Sequence, residues 1–148
     1  MRARVGACGV IGLVLVFFLL DRFTKYAAVH LLPPTAGDFF YRAPLTNQAG
    51  PFSLPAPATL LIALAVVALL WLVHLGLRAV QQHKWWRVAG VAFMLVGGFS
   101  NLWDRLVWGG VVDVWYLALG GGLSFNLADV YLLWGVMLVA WSYRGGVR

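Results

Sequence analysis

The chain contains no glutamate, and its only acids are five aspartates, Asp21, Asp38, Asp104, Asp113 and Asp129. Charge of either sign is scarce, since Asp, Lys and Arg make up 11% of 148 residues, about half the share carried by soluble domains. Cys8 is the only cysteine, which rules out an intrachain disulfide and a thiolate metal site. The three histidines, His30, His74 and His83, are too scattered to share a metal ion, so no metal and no cofactor is expected. Sparse charge also argues against nucleic acid as a partner. The net charge of +6 comes from bases placed singly at the ends of apolar runs, not from a basic face.

What is present is apolar: 62% of the residues are hydrophobic, more than a water-soluble fold of this size can hide. Runs near spanning length recur four times, and a span needs about 20 apolar residues. The reading is an all-α membrane protein, one domain of four transmembrane helices at about 5–30, 57–77, 88–105 and 125–143. Arg2 and Arg4 before the first run resemble the start of a cleavable secretory signal, but the rest of the chain is itself membrane-spanning, so a retained first span is expected. Between spans one and two, residues 33–56 hold Pro33, Pro34, Pro44, Pro51 and Pro55 around Phe39, Phe40 and Tyr41. Proline forbids regular helix there, and a small β-rich platform resting on the outer bilayer surface is expected. The Gly120-Gly121-Gly122 run reads as a flexible turn.

Alternating the connections between two sides gathers Arg2, Arg4, Arg78, Lys84, Arg87, Arg144 and Arg148 on one side, with no acid among them. By the positive-inside rule that side is cytoplasmic, both termini are inside, and all five aspartates lie at or near the outer face. Ionisable groups inside a membrane are expensive and demand partners or a task. Asp21 and Lys25, at i and i+4, can pair on one helix face. Asn101, Asp104 and Arg105 share a face near the end of span three, where Gly97 and Gly98 allow close approach of another helix. Asn126 and Asp129 stand at i and i+3 in the opening turns of span four, and Asp113 lies in the preceding loop between valines. Two carboxyls sharing a proton and a water serve each other as partners, and such a pair is also the machinery of aspartyl peptidases. Spacing alone leaves open a proton path or a structural ion cluster, as in a small ion or proton transporter subunit. None of Ser53, Ser100, Ser124 and Ser142 has the setting of a serine nucleophile.

Five motifs narrow this: Asp-Arg-Phe-Thr-Lys at Asp21–Lys25, Asn-Gln-Ala-Gly-Pro-Phe at Asn47–Phe52, Asn-Leu-Trp-Asp-Arg at Asn101–Arg105, Val111–Asp113, and Phe-Asn-Leu-Ala-Asp at Phe125–Asp129. In content and order the chain resembles lipoprotein signal peptidase, or signal peptidase II, over nearly its whole length. The resemblance implies an aspartic endopeptidase of the bacterial inner membrane with Asp113 and Asp129 as catalytic pair. It implies that Asn47, Asn101, Arg105 and Asn126 shape the site or hold substrate, and that Asp21, Lys25 and Asp104 brace it. The implied substrate is a prolipoprotein carrying a diacylglyceryl group on the cysteine before which it is cut, at the outer face, by a monomer among membrane lipids. The chain departs from the family's usual pattern with Ser100 for a glycine, with Ala49-Gly50-Pro51 reordered, with Val114 for an aromatic, and with a short loop between the two aspartates. The helix N-terminus beside Asp129 favours the ionised form there.

Overall fold

A computed structural model describes residues 2–35, 37–49, 55–118 and 122–144. Its elements in order are α1 (Arg2–His30), β1 (Phe40–Asn47), α2 (Ala58–Gln81), α3 (Trp85–Trp108), β2 (Val111–Leu117), β3 (Leu123–Phe125) and α4 (Leu127–Arg144). Gly50, Pro51 and Phe52 of the second motif, Ser53, Gly120, Gly121 and Arg148 lie outside the described residues.

The helices follow the apolar runs, with one extension. Arg78 to Gln81 contain neither Gly nor Pro, so α2 runs on through them, and the link to α3 shrinks to Gln82–Lys84. His83 makes that reversal in the left-handed region, at φ 55°. Among the described residues one helix is long and apolar enough to cross a membrane, Ala58–Gln81, with a mean hydropathy of 2.7 over its most apolar stretch. The apolar helix Leu127–Tyr143 is shorter.

The sheet differs from expectation. Among the described residues, only β1 comes from the platform between the first two helices. The other two strands come from the segment between α3 and α4, and the antiparallel order is β1-β2-β3. Val111-Val112-Asp113-Val114-Trp115-Tyr116-Leu117 is a run of β-branched and aromatic residues around a single acid, which suits a pleated surface better than a loop. Asp113 therefore sits inside a strand. The β1–β2 register slips by one residue between Arg42 and Leu45, where Pro44 has no N–H to give to the ladder. Beyond that bulge Leu45 faces Asp113 and Asn47 faces Val111.

The polarity of the packing is inverted relative to a soluble protein. Large apolar side chains such as Leu64, Leu70, Trp86 and Trp141 point outward, while the most deeply buried side chains include Lys25, Asn126, Asp21, Asp104 and Ser100. Such an exterior suits lipid and not water. Helices α3 and α4 touch most closely, because Gly97 has no side chain: a Cβ there would fall 2.4 Å from the Ala128 carbonyl oxygen. Gly98 instead faces Leu69 of α2. Further along, Phe17, Phe93 and Tyr131 stack between α1, α3 and α4 with ring centroids 5.0 to 6.1 Å apart. These contacts bring the ends of three helices and the sheet to one place.

Candidate active site

At that place lies a buried polar cluster, built up from α1. Asp21 and Lys25 meet as their spacing implies, Nζ to Oδ2 at 3.0 Å, and both are almost wholly buried. Lys25 makes a shorter contact with Asp104, at 2.6 Å. Asp104 takes both its cations from α1 and none from its neighbour Arg105. Arg22 reaches Asp104 Oδ1 at 2.5 Å and Asp21 Oδ2 at 2.8 Å, whereas the Arg105 guanidinium bonds the Asn101 carbonyl of its own helix at 3.4 Å. Consecutive helical residues diverge by about 100°, so the 104 and 105 side chains leave the helix in different directions. Ser100 Oγ joins the group, donating to Asp21 at 2.5 Å and accepting from Arg22 at 2.6 Å. Two cations and two carboxylates balance, which is the condition under which burial of charge is tolerable. The remaining carboxylate valences go to backbone: Asp104 accepts the Val112 N–H at 3.2 Å, and Asp21 accepts the Ala128 N–H at 2.9 Å. Asp21 thus ties α1 to the first turn of α4.

The second half of the cluster holds Asp113 and Asp129. Asn126 precedes α4 and forms a reciprocal capping box with Asp129: its Oδ1 accepts the Asp129 N–H at 3.1 Å, and Asp129 Oδ2 accepts the Asn126 N–H at 3.0 Å. The Asn126 Nδ2 donates to Asp113 Oδ1 and to Asn101 Oδ1, both at 3.2 Å. One carboxamide therefore touches both aspartates. Asn101 Oδ1 also accepts from Lys25 at 3.2 Å, so its Nδ2 must point the other way, and there it donates to Asp129 Oδ1 at 2.8 Å. Asp113 Oδ2 receives Asn47 Nδ2 at 3.2 Å and Ser124 Oγ at 2.6 Å. The chain has three asparagines in all, and every one of them bonds an aspartate here.

Of the residues singled out in the sequence, Asp21, Lys25, Asn47, Asn101, Asp104, Asp113, Asn126 and Asp129 fall in one bonded network, and Asp38 lies apart on the exposed surface. Arg105 stands beside that network, near Asp104, Asp113 and Asp129. Brace and pair are not separate, because Lys25 reaches Asp129 through Asn101. The sequence reading missed Arg22, Ser100 and Ser124. Arg22 bonds the adjacent Asp21, but its other partners and those of Ser100 lie 78 to 82 positions away. Asn-x-x-Asp ahead of an apolar run was a legible capping signal.

Two solved structures share this architecture, each described as a bacterial membrane enzyme determined by the in meso method. The one at 2.3 Å resolution superposes with a TM-score of 0.79 at 20% identity, over 93% of this chain and 88% of that one. The one at 1.9 Å gives 0.77 at 19% identity, over 94% of each. The fold is that of a membrane enzyme. The sequence model of signal peptidase (SPase) II matches residues 13–144, and the chain belongs to that family of peptidases. Among its relatives, the lipoprotein signal peptidase of Chlorobaculum parvum is 33% identical over 86% of this chain and 89% of its own length. That of Streptococcus pneumoniae is 29% identical over 86% of each.

Proposed function

We propose that the chain removes signal peptides from lipid-modified prolipoproteins, using Asp113 and Asp129 as paired acid and base. The observation that carries the reading is the single Asn126 carboxamide bonded to Asp113 and capping the turn that holds Asp129, which places the two aspartates on either side of one amide. The ionised member takes a proton from a water as its oxygen attacks the scissile carbonyl carbon, while the protonated member gives its proton to the carbonyl oxygen. The resulting gem-diol collapses as the first carboxyl protonates the leaving nitrogen and the second recovers a proton from the diol. Both then stand as they began. Asn47, Asn101 and Asn126 hold the pair in place, and Arg105, beside the pair but outside the charge-balanced brace, is free to take a substrate carbonyl or lipid ester oxygen.

Four spans, both termini in the cytoplasm and a site at the outer face complete the proposal. The outward apolar surface of all four helices supports it, as does the placement of Arg78, Lys84 and Arg87 at the end of the bundle opposite the aspartates. No Asp, Lys or Arg lies within 58–77, 88–103 or 130–143, which leaves an ion path without stepping stones. The deciding experiment is cleavage by purified protein of a diacylglyceryl-modified precursor and of the same precursor without lipid. Cleavage of the first alone, abolished in folded D113N and in folded D129N, is expected. Wild-type cleavage by both variants would remove the pair from the mechanism.

A further inference from the structure

Ser124 is the one hydroxyl bonded to either member of the pair among the described residues, and it gives the two carboxyls unequal surroundings. It stands at the centre of β3, opposite Tyr116 of β2, and its Oγ reaches Asp113, three residues from Tyr116 along β2, at 2.6 Å. Its position is fixed from behind: Gly122 has φ 86°, and a Cβ there would overlap the Tyr116 hydroxyl at 1.7 Å. The chain enters β3 by a path that only glycine can follow.

The amide orientations around Asp113 are set by other bonds. Asn47 Oδ1 accepts the Ala49 N–H at 3.0 Å, so its Nδ2 is the group presented to Asp113. Asn126 Oδ1 accepts the Asp129 N–H, so it too presents Nδ2. Both oxygens of Asp113 therefore face fixed donors. The hydroxyl of Ser124 is the only partner able to choose, since it can donate or accept. Asp113 gathers three donors against two for Asp129, and a carboxyl surrounded by donors is favoured as the carboxylate. The field of the α4 N-terminus acts the other way, toward charge on Asp129. It is diffuse, whereas the Ser124 contact is a 2.6 Å bond.

We infer that Ser124 is a positioning residue that donates to Asp113 and so makes Asp113 the ionised member of the pair, the base that takes the proton of water, leaving the shared proton on Asp129. The inference rests on the reading of Asp113 and Asp129 as the reacting pair. Other charges near the pair are Asp104 and Arg105 on α3 and Lys25 on α1, while the Arg42 guanidinium on β1 turns to the Pro33 carbonyl and β3 carries no charge. Replacing Ser124 alters none of them.

The test is the pH dependence of kcat for cleavage of a lipid-modified precursor by wild-type, S124A, S124T and D113N. Loss of a donor to a carboxylate favours its protonation, so the acidic limb of the S124A profile is expected to move up by about one pH unit, with kcat down about tenfold and KM unchanged. S124T keeps a hydroxyl on a residue suited to a strand and is expected to follow wild type. An S124A limb that stays in place, or moves to lower pH because Ser124 accepts from a protonated Asp113, overturns the inference while an inactive D113N leaves the pair intact. An active D113N would instead overturn the pair itself. Should S124A fail to fold, an S124T profile departing from wild type overturns the inference and one matching it supports it.

Discussion

Replacing Lys25 with methionine probes the whole network at one atom. The ammonium is about 1% exposed and holds Asp104 at 2.6 Å, Asp21 at 3.0 Å and Asn101 at 3.2 Å. Methionine fills a similar volume without charge, so the loss is electrostatic rather than a cavity. Two buried carboxylates would then face Arg22 alone, and removing one partner of such a group costs about 3 to 5 kcal/mol. For a chain of this size that corresponds to a fall in Tm on the order of 10 °C. The eight tryptophans provide the fluorescence signal for unfolding in detergent. The double variant K25M/D104N restores one cation against one carboxylate and is expected to recover at least half of the loss. A K25M protein that melts within about 2 °C of wild type, or a double variant no better than K25M, would refute the charge balance. Catalysis offers a second readout: without Lys25 the Asn101 amide keeps only the Asn126 bond to fix its orientation toward Asp129, and cleavage is expected to fall about tenfold even where K25M remains folded.

Other substitutions separate stability from chemistry. N126S keeps an oxygen to cap α4 but loses the Nδ2 that joins Asp113 to Asn101, so Tm is expected to drop by only a few degrees while kcat falls at least a hundredfold; equal losses in both would make Asn126 merely a cap. G97A drives a Cβ against the Ala128 carbonyl oxygen, so α4 must retreat at the residue before Asp129, costing about 1 to 3 kcal/mol in denaturant titrations together with most of the activity. S100G removes the hydroxyl between Asp21 and Arg22 and is expected to destabilise by about 1 to 2 kcal/mol, read as a lower thermal midpoint with unchanged KM.

The apolar runs made the four helices legible to within a few residues, because period and length depend only on local sequence. The cluster was legible in its membership and not in its wiring. Asp21 with Lys25 could be paired from i,i+4 spacing, but the stronger tie from Lys25 to Asp104 crosses 79 positions and leaves no trace in spacing. Asp104 likewise takes its guanidinium from Arg22, 82 positions away, and not from the adjacent Arg105. The strand character of Val111–Leu117 was visible in its β-branched run, but the glycines around it invited a loop. Ser124 carried no signal because a lone serine is ordinary anywhere, and its bond to Asp113 appears only once β3 is folded against β2.

The bond between Asp21 and the Ala128 N–H joins positions 107 apart in a chain of 148 residues. The cluster it helps to frame also takes Asn47 from β1, Asn101 from α3 and Asp113 from β2, so it cannot assemble before α4 has been made. A chain still lacking α4 therefore holds no such cluster, and the two aspartates come together only when α4 docks against α1.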